Sequence, residues 1–140
     1  MAEANLDGGC LCGLVRYHIA AEPTAILYCH CRMCQRAAGA PVVAWFTVPA
    51  IGVSWLAAEP RVYRSSDAAT RRFCPACGSQ LAFQADAEPE LMDIALASLD
   101  RPAAIVPTCH CWTASRIPWF DTDDALPRHR HAGNMASTEP

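Results

Sequence analysis

Apolar and polar positions alternate in short stretches along the chain, and prolines or glycines break each stretch before a helical period can establish itself. Residues 11–19 alternate loosely, are rich in branched and aromatic side chains, and read as a strand that Glu22-Pro23 ends. Residues 25–29 form a short apolar strand. Residues 42–48, bounded by Pro41 and Pro49, are the clearest strand of all. Between them, residues 32–38 have the composition of a short helix, which Gly39 and Pro41 stop. Further short strands are expected at 53–56, 62–65, 70–73, 80–83, 93–97 and 105–109, separated by turn signals at Glu59-Pro60, Gly78, Glu88-Pro89 and Arg101-Pro102. Residues 91–99 have some helical propensity but are read as strand. The pattern predicts a mainly β fold: a sandwich of short, twisted antiparallel sheets with one or two short helices. It also predicts one domain over residues 1–127, with the patternless, polar stretch 128–140 as a flexible tail.

Composition narrows the function classes. The net charge is -3 and the pI about 5.9, so no overall field favours nucleic acid or an anionic membrane. All 11 basic residues are arginine; because this holds along the whole chain, it marks no particular site. No basic stretch followed by an apolar one opens the sequence, and no apolar run is long enough to span a bilayer, so a cytoplasmic location without membrane attachment is expected.

In that reducing compartment nine cysteines point to metal rather than to disulfides. They fall into four groups: Cys10-x-Cys12, Cys29-x-Cys31-x-x-Cys34, Cys74-x-x-Cys77 and Cys109-x-Cys111. A closed zinc site takes four ligands, and two short chelating pairs supply them. Cys74 to Gly78 has the form of a zinc knuckle, and Cys10 with Cys12, on a glycine-flanked turn, is its natural complement. Cys29, Cys31 and Cys34 bring three sulfurs within six residues, the pattern of a reactive zinc with an open fourth position. Alternatively Cys109, His110 or Cys111 closes this second site and makes it structural. His30, between two ligand cysteines, is expected to point away from their metal, and His129 and His131 to lie in solvent.

Gly9-Cys10-Leu11-Cys12-Gly13 with Val15-Arg16-Tyr17, Cys29-His30-Cys31-Arg32-Met33-Cys34-Gln35-Arg36, Phe73-Cys74-Pro75-Ala76-Cys77-Gly78-Ser79, His110-Cys111-Trp112 and Ser115-Arg116-Ile117-Pro118-Trp119 follow one another in an order that resembles the glutathione-dependent formaldehyde-activating enzyme family, whose domain centromere protein V-like proteins share. The resemblance implies a β-tent, a zinc-ribbon-like sandwich. It implies two Zn2+ ions per chain, one structural on Cys10, Cys12, Cys74 and Cys77, and one reactive on Cys29, Cys31 and Cys34. The implied reaction is of carbon-sulfur lyase type: a thiol such as glutathione and formaldehyde combine into S-hydroxymethylglutathione, with zinc presenting the thiolate. Arg32 and Arg36, four apart on a short helix, and Arg116 are candidate grips for substrate carboxylates, and His110 is a candidate for proton transfer. Cys111 stands where the family pattern suggests an aliphatic residue, and Cys109 is an additional thiol. The competing readings are a non-catalytic zinc domain that binds a protein, and an enzyme of the same fold acting on another thiol or aldehyde adduct. Nucleic acid and membrane are not expected as partners; a homodimer stays open.

Overall fold

The computed structural model describes residues 5–132. Its strands are β1 (Asn5–Gly9), β2 (Arg16–Ala20), β3 (Ala25–Cys29), β4 (Val43–Pro49), β5 (Val53–Trp55), β6 (Arg61–Ser66), β7 (Ala69–Phe73), β8 (Gln80–Ala85), β9 (Leu91–Ala95) and β10 (Cys109–Cys111), with one α-helix, α1 (Arg32–Ala38). They form a three-stranded sheet in the order β1-β2-β5 and a seven-stranded one in the order β10-β3-β4-β9-β8-β7-β6. The fold is mainly β, as the alternation predicts. The β10-β3 pair is parallel, whereas the other strand pairs are antiparallel.

Strand periodicity divides the large sheet into two faces. Along β4, Phe46 and Val48 point toward the small sheet, where Leu6, Tyr17 and Ile19 meet Leu81, Met92 and Ile94 in the main core. Val43 and Trp45 point the other way and pack with Cys29, Cys34, Leu27 and Phe83 in a second, smaller cluster under α1. Residues paired in register share a face. A row of Tyr63, Arg71, Phe83, Asp93 and Thr47 therefore crosses five strands on the α1 side.

Two strand expectations shift in place. The chain between Cys10 and Val15 is a turn rather than the start of a strand: Gly13 is left-handed at φ 82°, and the Cys10 N–H donates to the Val15 carbonyl at 3.0 Å. The C-terminal strand occupies Cys109–Cys111, past the expected 105–109. The stretch that opens the expected tail lies beside it: the His129 N–H donates to the His110 carbonyl at 2.8 Å and the Trp112 N–H to the His131 carbonyl at 2.8 Å. Residues 133–140, the rest of that tail, lie outside the described residues.

Candidate metal centres

The turn after β1 and the β7-β8 connection meet at four sulfurs. Gly78 makes the second turn possible. At φ 80° it takes a conformation that costs a residue with a Cβ about 1–2 kcal/mol, and its N–H donates to the Cys74 carbonyl at 2.9 Å. The two turns are tied by the Leu11 N–H, which donates to Ser79 Oγ at 3.0 Å. The Sγ atoms of Cys10, Cys12, Cys74 and Cys77 all lie within 4.8 Å of one another. Cys10 and Cys12 are 3.7 Å apart and Cys12 and Cys74 3.8 Å, close to the edge of about 3.8 Å that a tetrahedron of zinc-sulfur bonds requires. Backbone N–H groups point at these sulfurs, from Val15 to Cys10 at 3.2 Å and from Ala76 to Cys74 at 3.3 Å, as suits thiolates. The Ser79 hydroxyl and N–H pull the Cys77 thiol down to about 5. Geometry and donor chemistry both fit a closed zinc site.

The second group lies on the opposite face of the large sheet. Cys29 ends β3, Cys31 caps α1 by accepting the Cys34 N–H at 3.3 Å, and Cys34 sits in the helix's first turn, buried against Trp45. Their three Sγ atoms also lie within 4.8 Å of one another. Hydrogen bonds with Cys29 and Cys34 hold the Cys31 thiol far below its ordinary value, while those with Cys31 and Cys34, and then burial, push Cys29 far above it. Three thiols this close cannot all ionise against one another's charge; a divalent cation among them removes that conflict. The set fits zinc. Among the described residues no other Cys, His, Asp or Glu joins the three within that distance. Cys109, His110 and Cys111, the candidates for closing the site, stand outside the group, although Cys111 is paired in register with Cys29.

His110 turns away from Cys109 and Cys111 into a buried string. Its Nε2 lies 3.1 Å from Asp124 Oδ2, and its Nδ1 lies 2.8 Å from His30 Nε2. With the carboxylate accepting from Nε2–H, His110 Nδ1 is an acceptor and His30 Nε2–H the donor. Both rings are fully buried, and the His30 Nδ1 finds no partner among the described residues. Burial, then the neighbouring His110, lower His30 to about 4 and keep it neutral. Gln35 fixes the same loop, donating to the His30 and Ser115 carbonyls at 2.8 and 3.1 Å.

The candidate arginines differ in their surroundings. Arg116 donates to the carbonyls of Ile117, Pro118 and Phe120, and Arg32 donates to Gln35 at 3.2 Å. Arg36 lines a cleft with no hydrogen-bond partner among the described residues. Sequence reasoning missed Arg71. Only 7% exposed, it donates to Cys34 Sγ at 3.5 Å and to Gln80 Oε1 at 2.7 Å and lies over the Phe83 ring. Its position on the inward face of an alternating strand was the available signal. Asp93, in the same row, was missed for the same reason; burial raises its carboxyl to about 6 against the hydrogen bond from Thr47.

The sequence profile described as glutathione-dependent formaldehyde-activating enzyme matches residues 5–115. Among solved structures the chain is similar to a Rhodobacter sphaeroides protein, at 23% identity and a TM-score of 0.57 over 72% of this chain and 97% of that one. At that identity the likeness speaks for the fold. No curated protein matches the chain in sequence.

Proposed function

From the premise that this chain belongs to the glutathione-dependent formaldehyde-activating enzyme family, we propose that it joins glutathione or a similar thiol to formaldehyde at Cys29, Cys31 and Cys34. One observation carries the reading: these three thiols converge without a fourth protein ligand among the described residues, while Cys10, Cys12, Cys74 and Cys77 form a set of four. Zinc held there would supply a doubly charged centre that stabilises an added thiol as its thiolate at neutral pH.

Cys29, Cys31 and Cys34 bring three negative charges to that position, which weakens its pull on a carbonyl oxygen. With zinc held by these three residues, the site would serve to orient the substrate's thiolate sulfur rather than to activate the aldehyde. The sulfur forms the new bond to the formaldehyde carbon, the carbon-oxygen double bond becomes single, and the oxygen takes up a proton in place of the one the thiol released to solvent on ionising, giving S-hydroxymethylglutathione with no redox change. His30, Gln35 and the His110-Asp124 pair keep the loop bearing Cys29 and Cys31 in place. No helix among the described residues is long and apolar enough to cross a membrane.

The test is the exchange rate of isotopically labelled formaldehyde with glutathione, followed by NMR against the spontaneous reaction. Protein carrying about two zinc ions per chain should accelerate exchange, and Cys31→Ser should abolish the gain while keeping about one zinc. Zinc-replete protein that leaves the spontaneous rate unchanged overturns the reading.

A further inference from the structure

Beside the three-thiol cluster, the Met33-Arg36 face of α1 and the outer strands β6 and β7 enclose a cleft of about 490 Å³, within the size range of small-molecule sites. Arg36 enters it from the helix and Arg71 from the sheet; Arg72 also lines it, with its guanidinium bonded to Gln84 Oε1 at 3.0 Å, and Tyr63, Ser65 and Gln80 lie along the walls. Among the described residues no acidic side chain lines it, in a chain whose net charge is negative.

Two guanidinium groups facing one cleft repel each other unless an anion lies between them. Arg71 is the stronger observation, because a charged side chain this far out of water ordinarily has a carboxylate partner. It has no carboxylate among the described residues: its acceptors are the neutral Gln80 amide and Cys34 Sγ, which offsets the charge in part when it is a metal-bound thiolate. Those two contacts occupy part of a group with five N–H donors. It also lies over the Phe83 ring and lines the cleft. A ligand in the cleft can therefore meet the same guanidinium that contacts Cys34 Sγ.

We propose that this cleft is the seat for a carboxylate of the thiol substrate, with Arg36 and Arg71 as its specificity-determining residues, so that the protein selects thiols bearing an acid group over neutral ones. The assignment rests on the thiol chemistry proposed above and adds where and how the substrate is selected. Planar, forked guanidinium groups suit a carboxylate, and Arg36 needs no existing bond broken to reach one.

Calorimetry on the zinc-loaded protein tests it with three probes: glutathione, glutathione diethyl ester, which lacks free carboxylates, and the glutathione isostere with a methyl group in place of the thiol. Wild type should bind glutathione about ten- to a hundredfold more tightly than the ester, the range of charge-assisted hydrogen bonds. The sulfur-free isostere should bind measurably. Arg36→Ala should remove the preference for glutathione and the isostere's binding, leave ester affinity and zinc content unchanged, and differ in this from Arg61→Ala on the exposed part of β6. Arg71→Lys, which retains the charge but loses the fork, should weaken glutathione binding with both zinc ions present. Equal affinity for glutathione and ester in wild type, or an Arg36→Ala variant that keeps the preference, overturns the carboxylate seat while leaving the thiol chemistry intact. If the isostere binds and neither thiol gains affinity from its sulfur, the reverse holds: the seat stands and the thiol chemistry falls.

Discussion

Two cysteine clusters of like chemistry occupy opposite faces of one sheet, and they differ in how the chain brings their sulfurs together. Cys12 and Cys74, 62 residues apart, meet with Cys10 and Cys77 at the junction of two turns, and Cys10 and Cys74 are part of the main core. Cys29, Cys31 and Cys34 come from one strand end and the helix that follows, and Arg71 leans on the last of them. A cluster assembled from distant segments fixes the fold and is complete when the fold is. A cluster assembled locally asks little of the fold and can keep a position for something else. Replacing one cysteine in each is the strongest way to break the comparison. Structural zinc sites contribute on the order of 10 kcal/mol, as much as the whole stability of a typical domain, so Cys74→Ser should yield little soluble, folded protein. Cys31→Ser should remove the second zinc yet cost only about 1–2 kcal/mol, read as a modest fall in Tm with the circular dichroism spectrum retained. If Cys74→Ser folds and Cys31→Ser does not, the roles assigned to the clusters are reversed.

The buried histidine pair offers a subtler test, because it braces one cluster and not the other. Replacing His110 with Phe preserves an aromatic ring against Tyr28 but leaves the His30 Nε2–H without an acceptor. An unsatisfied buried donor costs about 1–3 kcal/mol. The loss should also appear locally: zinc should exchange faster from Cys29, Cys31 and Cys34, while the four-thiol site exchanges as before. Exchange of isotopically enriched zinc, followed by mass spectrometry, separates the two. Equal acceleration at both sites means that His110 supports the whole fold rather than the loop bearing Cys29 and Cys31.

What the sequence disclosed follows from which interactions are local. Val43 to Pro49 and the helix Arg32–Ala38 were legible because alternation, a proline boundary and a stopping glycine all sit in the segment itself. β1 was not, since Asp7, Gly8 and Gly9 are poor strand residues that pairing with β2 holds in place. The cysteine groups were legible from spacing, and the structure brings each predicted set together. Arg71 and Asp93 escaped because a charged residue in a short alternating strand looks solvent-facing until the helix lying across that face is known. Asp124 escaped too: its meeting with His110 spans 14 residues of irregular chain that no period describes.

Asp93 gives the smallest and sharpest effect, since it asks whether the face that carries Cys29, Cys31 and Cys34 gives up stability that the other face keeps. The carboxyl lies in the row between Phe83 and Thr47; burial raises it to about 6, and Glu88 and Cys34 add to the rise against the Thr47 hydrogen bond. In the unfolded chain the same group titrates at about 3.9. Between those values the folded protein holds a proton that the unfolded one has released, so stability falls as pH rises through this window, and the penalty is complete above about 6. Asp93→Asn removes the ionisation and leaves an oxygen for the Thr47 hydroxyl. Because Asp93 retains some contact with solvent, the gain should be about 1 kcal/mol rather than the larger figure full burial would imply. The variant should therefore melt higher than wild type at pH 8, with the gap closing as pH falls from about 6 to about 4, below which the carboxyl holds its proton in both the folded and the unfolded chain. Urea denaturation across that range, with zinc content checked at each pH, measures it. A gap independent of pH, or one that widens toward acid, would mean that Asp93 is ionised at no cost and that the face around the open cluster is no less settled than the core behind it.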